Sequence, residues 1–271
     1  MKHFDIKRFT QTFCRLMLIR QRMYIRFFIG LTLCCSLMSI FSFNPFDLEA
    51  ISADSMAVRL FPVSSFIIFV LMSILVLAGA FIISDLKHKQ DRIGELVLPA
   101  TNLEKFTARI LGSSVVIIAV SFAAIVVGDL LQQGVNMLLH EGSHMSYLKI
   151  LYKMLFREER IFDNGSATFS TLFYSYIASY GFYVLGGVFF RKNAWILTTI
   201  ASFVLSIGSI LLFIAYTYLI YTKTDYVVYM PEGVTTDYYG FLCIGFSLIC
   251  IALAYRIFVR LQAVNNKWVN L

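Results

Sequence analysis

His140-Glu141-Gly142-Ser143-His144 satisfies H-E-x-x-H. In that pattern two imidazoles one helical turn apart hold a zinc ion, and the glutamate between them activates its water. The uncharged neighbours Leu138, Leu139 and Met145 suit such a helix. Against it, Gly142 weakens the helix by about 1 kcal/mol relative to alanine. A third ligand would have to come from Glu158, Glu159 or Asp163, none of which stands in a recognisable motif. The pattern therefore reads first as the polar side of a surface helix, and only second as a zinc hydrolase centre (His140, Glu141, His144) or a metal- or pH-sensitive site. Cys14, Cys34, Cys35, Cys243 and Cys250 lack C-x-x-C spacing and read as small apolar fillers. No catalytic residue and no cofactor are assigned.

The second chemistry-bearing stretch is 85–109, which includes KHKQDRIGELVLPATNLEKFTAR. Ile93, Leu96 and Val97 fall on one side of a short helix from Gln90 to Leu98. Pro99 disfavours helix at Leu98 and starts a new element. Thr101 with Glu104 three residues on is a capping-box pattern, so a second helix is expected from Asn102 straight into an apolar span. Arg109 is expected to meet the headgroups. A short helix, a corner and a helix continuous with a span have the geometry of a lever.

These stretches sit in a chain that is 59% hydrophobic and 14% charged, where a soluble domain carries roughly a quarter charged residues. The expected class is an all-α polytopic membrane protein with six transmembrane helices and both termini cytoplasmic. The net charge of +7 is a topology signal rather than a sign of nucleic acid. Most of the 23 Lys and Arg fall in 1–26, 85–109, 191–194 and 256–271, which alternate with apolar spans.

In order, residues 1–26 are expected as an amphipathic helix in the headgroup region, with Phe9, Phe13, Leu16 and Arg20 on one stripe. They are too long and too regularly patterned for the basic end of a signal peptide. Spans are expected at about 27–43, 61–84, 110–132, 168–190, 195–221 and 238–259, within one domain over 27–259 and a tail over 260–271. Pro62 is placed at the start of the second span. Asp129 is expected to reach interfacial water, with a buried functional carboxylate as the alternative. The outer stretch 133–167 is expected to lie on the membrane as one or two helices, ending at Asp163-Asn164-Gly165. Tyr174, Tyr176, Tyr180 and Tyr183 read as bundle packing before a polar route. Ser202 and Ser206 offer a close-approach face.

The stretch resembles the permeases of the type-2 ABC exporter family. The resemblance rests on the basic run at 87–89, Gly94-Glu95-Leu96, Leu98-Pro99-Ala100-Thr101 and Glu104-Lys105. It implies a transport subunit of the cytoplasmic (inner) membrane that pairs as a homodimer or heterodimer with a second permease. A separate ABC ATPase would dock on 85–109 through Gly94, Glu95, Leu98, Pro99, Thr101, Glu104, Lys105 and Arg109. The chain has no GxxxxGK phosphate loop of its own. The 35-residue outer stretch after the third span departs from the family layout. The competing expectation is a six-span scaffold or accessory protein.

Overall fold

A computed structural model describes residues 4–42, 53–86, 88–139, 145–156, 169–224 and 236–260. Among them the chain is all-α. Its helices are α1 (Ile6–Phe41), α2 (Ala53–Ala78), α3 (Lys89–Val97), α4 (Asn102–Leu111), α5 (Ile117–Leu139), α6 (Tyr147–Phe156), α7 (Phe169–Phe189), α8 (Ala194–Lys223) and α9 (Thr236–Val259). Six helical stretches are long and apolar enough to cross a membrane: Ile6–Phe41, Val58–Phe81, Asn102–Leu138, Ser170–Phe189, Ala194–Lys223 and Tyr238–Val259. The protein is a multi-pass membrane protein.

Several boundaries differ from expectation for local reasons. The basic segment and the first span form one uninterrupted helix of 36 residues. At 1.5 Å per residue this is roughly 54 Å long, well beyond a hydrocarbon core of about 30 Å. Its basic end must therefore leave the apolar layer. Asp5 caps it, accepting from the Lys7 N–H at 2.9 Å. Pro62 lies inside α2 rather than at a helix start, because the helix begins earlier, at Ala53. The turn expected at 163–165 lies outside the described residues.

The chain divides into two compact units. The first comprises Met1–Ala78 and Pro99–Tyr176, the second Gly79–Leu98 and Ile177–Leu271. In the first, α1 runs along α4 and α5. Its stripe of Leu16, Arg20 and Tyr24 is buried, so a face expected against lipid instead packs on protein. Tyr147, Ile150, Leu151 and Met154, at i, i+3, i+4 and i+7 on α6, join Leu31, Cys35, Leu60, Ile67, Ala124 and Ile125 in one core. Lys149 and Tyr152 face outward.

In the second unit, glycines set the packing. A Cβ on Gly79 would meet the Tyr180 carbonyl oxygen and the Val184 nitrogen at 3.0 Å, and one on Gly187 would meet the backbone of Gly79 and Ala80. Gly186 gives room to Thr198 of α8, and Gly181 to Ser247 of α9. Tyr180 and Tyr183 are buried, and the Tyr183 Oη shares a hydrogen bond with Thr199 Oγ1 at 2.9 Å. For these two tyrosines, packing is the observed role. By contrast α8 is exposed along almost all of its length, and no atom comes within 4 Å of the position a Cβ on Gly208 would take. Ser202 is half-buried and Ser206 exposed, so the close approach expected there is not made among the described residues.

Candidate functional site

The segment from His88 to Val116 folds as the residues dictate. His88 is extended (φ −89°, ψ 152°) before α3, and Asp91 stands in the first turn, favourable to the helix dipole. Pro99 forces Leu98 out of the helix to φ −57°, ψ 127°. Thr101 then caps α4 in the expected capping box. The Glu104 N–H donates to Thr101 Oγ1 at 3.2 Å, and the Thr101 N–H donates to Glu104 Oε2 at 2.7 Å.

Glu104 does more than the box requires. Its Oε1 also accepts from the Asp5 N–H at 2.8 Å and from Arg8 Nη2 at 3.1 Å. The carboxylate is fully buried. One side chain thus ties the start of α1 to the start of α4, across a sequence separation of 99 residues.

The helix after the box continues toward the membrane, as expected, through one π-helical turn at Gly112–Val116. Such turns free a carbonyl from the i to i−4 ladder. Here the Tyr24 hydroxyl of α1 donates to the Gly112 oxygen at 3.0 Å. Tyr24 packs with Leu75, Ala78 and Ile117. Tyr24→Phe removes the donor and leaves that carbonyl buried without it, a cost of about 1–2 kcal/mol. The expected result is a lower unfolding midpoint in detergent, together with faster amide exchange confined to about 110–117. Unchanged exchange there would show the hydroxyl is dispensable.

The residues expected to meet a partner divide sharply. Pro99 is exposed, while Gly94, Leu98 and Thr101 are half-buried. Glu95, Glu104, Lys105 and Arg109 are buried, so Arg109 does not reach headgroups and the charged members are not a docking face. Their burial comes from packing between elements distant in sequence, which spacing alone does not reveal. On α3 the polarity is inverted. Arg92 and Glu95 are buried, whereas Ile93, Leu96 and Val97 are exposed, Val97 by 76%. Burial and the nearby Arg191 guanidinium push the Arg92 pKa down from its ordinary value. Sequence reasoning placed Ile93, Leu96 and Val97 on one side but did not rank them as the contact residues. Their i, i+3, i+4 spacing was the signal.

Asp129 is likewise buried, 2% exposed, rather than at interfacial water. Its Oδ2 accepts from Gln133 Nε2 and Ser146 Oγ, each at 2.6 Å, and its Oδ1 accepts from the Tyr147 N–H at 2.9 Å. It therefore holds the first turn of α6. Ser146 precedes α6, and the Tyr147 Oη donates to the Ile125 oxygen at 2.6 Å. Burial raises the Tyr147 pKa.

His140, Glu141 and His144 lie outside the described residues. Among the described residues no group of three His, Cys, Asp or Glu side chains could hold a metal ion. A cavity of about 80 Å³ in the second unit, lined by Phe81, Ser84, Arg191 and Trp195 among others, is too small for a drug-sized ligand, which takes roughly 300 Å³ or more. No family model, curated protein or solved structure matches the chain.

Proposed function

We propose that this chain is the membrane subunit of an ABC-type exporter of the cytoplasmic membrane, with both termini in the cytoplasm and a separate ATPase docking on the segment 85–109. The observation that carries the reading is the inverted helix α3. A short helix that buries Arg92 and Glu95 while presenting Ile93, Leu96 and Val97 outward is arranged for an apolar partner surface rather than for water. The stretch whose residues resemble the permease family is the same one. Beyond α3, the Pro99 corner and the capped α4 lead directly into a span, so a force on α3 has a short covalent route into the membrane. The near-complete exposure of α8 supports pairing with a second permease copy or homologue, since among the described residues little of that helix is covered.

The test is co-purification. The ATPase that accompanies the wild-type chain is expected to be lost, with affinity down tenfold or more, in a Leu96→Asp/Val97→Asp double variant, because two apolar anchors worth about 1–2 kcal/mol each are removed. Pro99→Ala should retain the partner but weaken the dependence of its ATP hydrolysis on the membrane subunit. An ATPase retained equally by the double variant would sink the docking assignment. If the wild type retained no ATPase at all, the reading would pass to a six-span accessory protein whose α3 rests in the headgroup layer.

A further inference from the structure

Arg15, Arg22, Arg26, Ile29, Leu33 and Leu37 follow one another along α1 at i+7, i+4, i+3, i+4 and i+4, so they share one stripe of the helix. Each of them is exposed. The stripe lies opposite Leu16, Arg20, Tyr24 and Leu31, which are buried on the side where α1 runs along α4 and α5. Its chemistry changes once, between Arg26 and Ile29, from guanidinium groups to branched aliphatic side chains. From Arg26 to Leu37 the helix rises roughly 16 Å, about the depth of one leaflet of a hydrocarbon core about 30 Å thick. Arg22 stands one turn the other way, roughly 6 Å along the axis, within the depth of a headgroup layer of about 5–8 Å. Gly30 follows Arg26 by one turn, and nothing lies within 4 Å of the position its Cβ would take. The aliphatic part of the stripe therefore has an open notch directly beside the arginine end.

We propose that Arg22 and Arg26 hold the phosphate of an anionic phospholipid whose acyl chain runs along Ile29, Leu33 and Leu37 and over Gly30. Guanidinium groups meet phosphate oxygens through paired N–H donors, and basic residues at the edge of a span attract anionic headgroups. The helix Ile6–Phe41 contains no acidic residue, so α1 offers no carboxylate of its own to compete for the pair. A zwitterionic headgroup carries its own cation next to the phosphate and complements two arginines less well. A second copy of this chain is a poor occupant, because a parallel two-fold pairing along the stripe would set arginine against arginine. The inference rests on the multi-pass fold and is independent of the ATPase reading.

The test is thermal unfolding of the purified full chain in neutral-detergent micelles doped with dioleoyl phosphatidylglycerol or dioleoyl phosphatidylcholine. Phosphatidylglycerol is expected to raise the midpoint at mole fractions where phosphatidylcholine does not, as a ligand of the folded state must. In Arg22→Gln/Arg26→Gln the mole fraction giving half of that rise should increase about 30-fold, roughly fivefold for each basic residue lost. Lys7→Gln/Arg15→Gln removes the same charge from the same helix, but farther from Ile29 than a headgroup layer is deep, and should shift it less than threefold. Gly30→Leu fills the notch with both arginines in place and should also raise it. Equal wild-type midpoints in the two lipids would overturn the proposal. So would equal losses in the two double variants, which would mean attraction to charge without a site. Inorganic phosphate that reproduced the rise without lipid would overturn it too, as would lipid-independent dimers that Arg22→Gln/Arg26→Gln disperses, which would give the stripe to a second copy.

Discussion

Gly187→Val is expected to leave little or no monodisperse protein after detergent extraction. A Cβ at Gly187 would lie 2.8 Å from the Ala80 Cα, the Ala80 oxygen and the Gly79 oxygen. Every one of those atoms is backbone, so none can rotate away. The approach is reciprocal, since a Cβ added at Gly79 would lie 3.0 Å from the Tyr180 oxygen and the Val184 nitrogen. Overpacking against movable side chains costs about 1–3 kcal/mol, and a clash with backbone on the far side puts the cost above about 3 kcal/mol. That is a large part of the stability of an ordinary domain. Gly208→Ala is the matched control. Nothing lies within 4 Å of its Cβ position, and a helical glycine gains up to about 1 kcal/mol on becoming alanine. Gly187→Ala should fall between the two. Equal yields and midpoints for Gly187→Val and Gly208→Ala would remove the packing argument for the second unit.

Features written within a few residues were legible in advance, and features closed by distant partners were not. Thr101 and Glu104 form their capping box because both halves lie within one turn. Pro99 breaks the helix through a steric rule that acts on its immediate neighbour. The six spans follow from apolar runs that no other environment would accept. The burial of Arg109, Lys105 and Asp129 was not legible, because it depends on which helices lie over them. Nor was the reach of Glu104 to Asp5 and Arg8, since nothing near Glu104 in the chain names those partners. The π turn at Gly112–Val116 leaves no periodic signature in so short a stretch, and the tyrosine that accompanies it is 88 residues away. On α3 the pattern was visible but its sense was not, because an amphipathic helix with apolar residues at i, i+3 and i+4 is ordinarily taken to bury them.

Glu104→Ala is expected to cost about 2–3 kcal/mol, read as a lowered unfolding midpoint in detergent. The substitution deletes half of a capping box, worth about 1 kcal/mol. That half is the bond from the Thr101 N–H; the substitution also leaves the Asp5 N–H without its acceptor, at about 1 kcal/mol. The Arg8 contribution is smaller, because 26% of that side chain is exposed and solvent screens the pair to about 1 kcal/mol or less. Glu104→Gln keeps one acceptor oxygen and should lose roughly half as much. A cycle with Arg8→Met should then report a coupling no larger than about 1 kcal/mol, which separates the charge from the hydrogen bonds. The functional consequence differs in kind from that of the α3 variants. Glu104 is buried, so on the proposed function an ATPase docked on Ile93, Leu96 and Val97 should remain bound to Glu104→Ala. What should be lost is the response of its hydrolysis to the membrane subunit, because the carboxylate that joins α1 to α4 is gone. A Glu104→Ala protein within about 0.5 kcal/mol of wild type would show that the tie is incidental. One that is destabilised yet releases the partner would move Glu104 from the joint to the docking face.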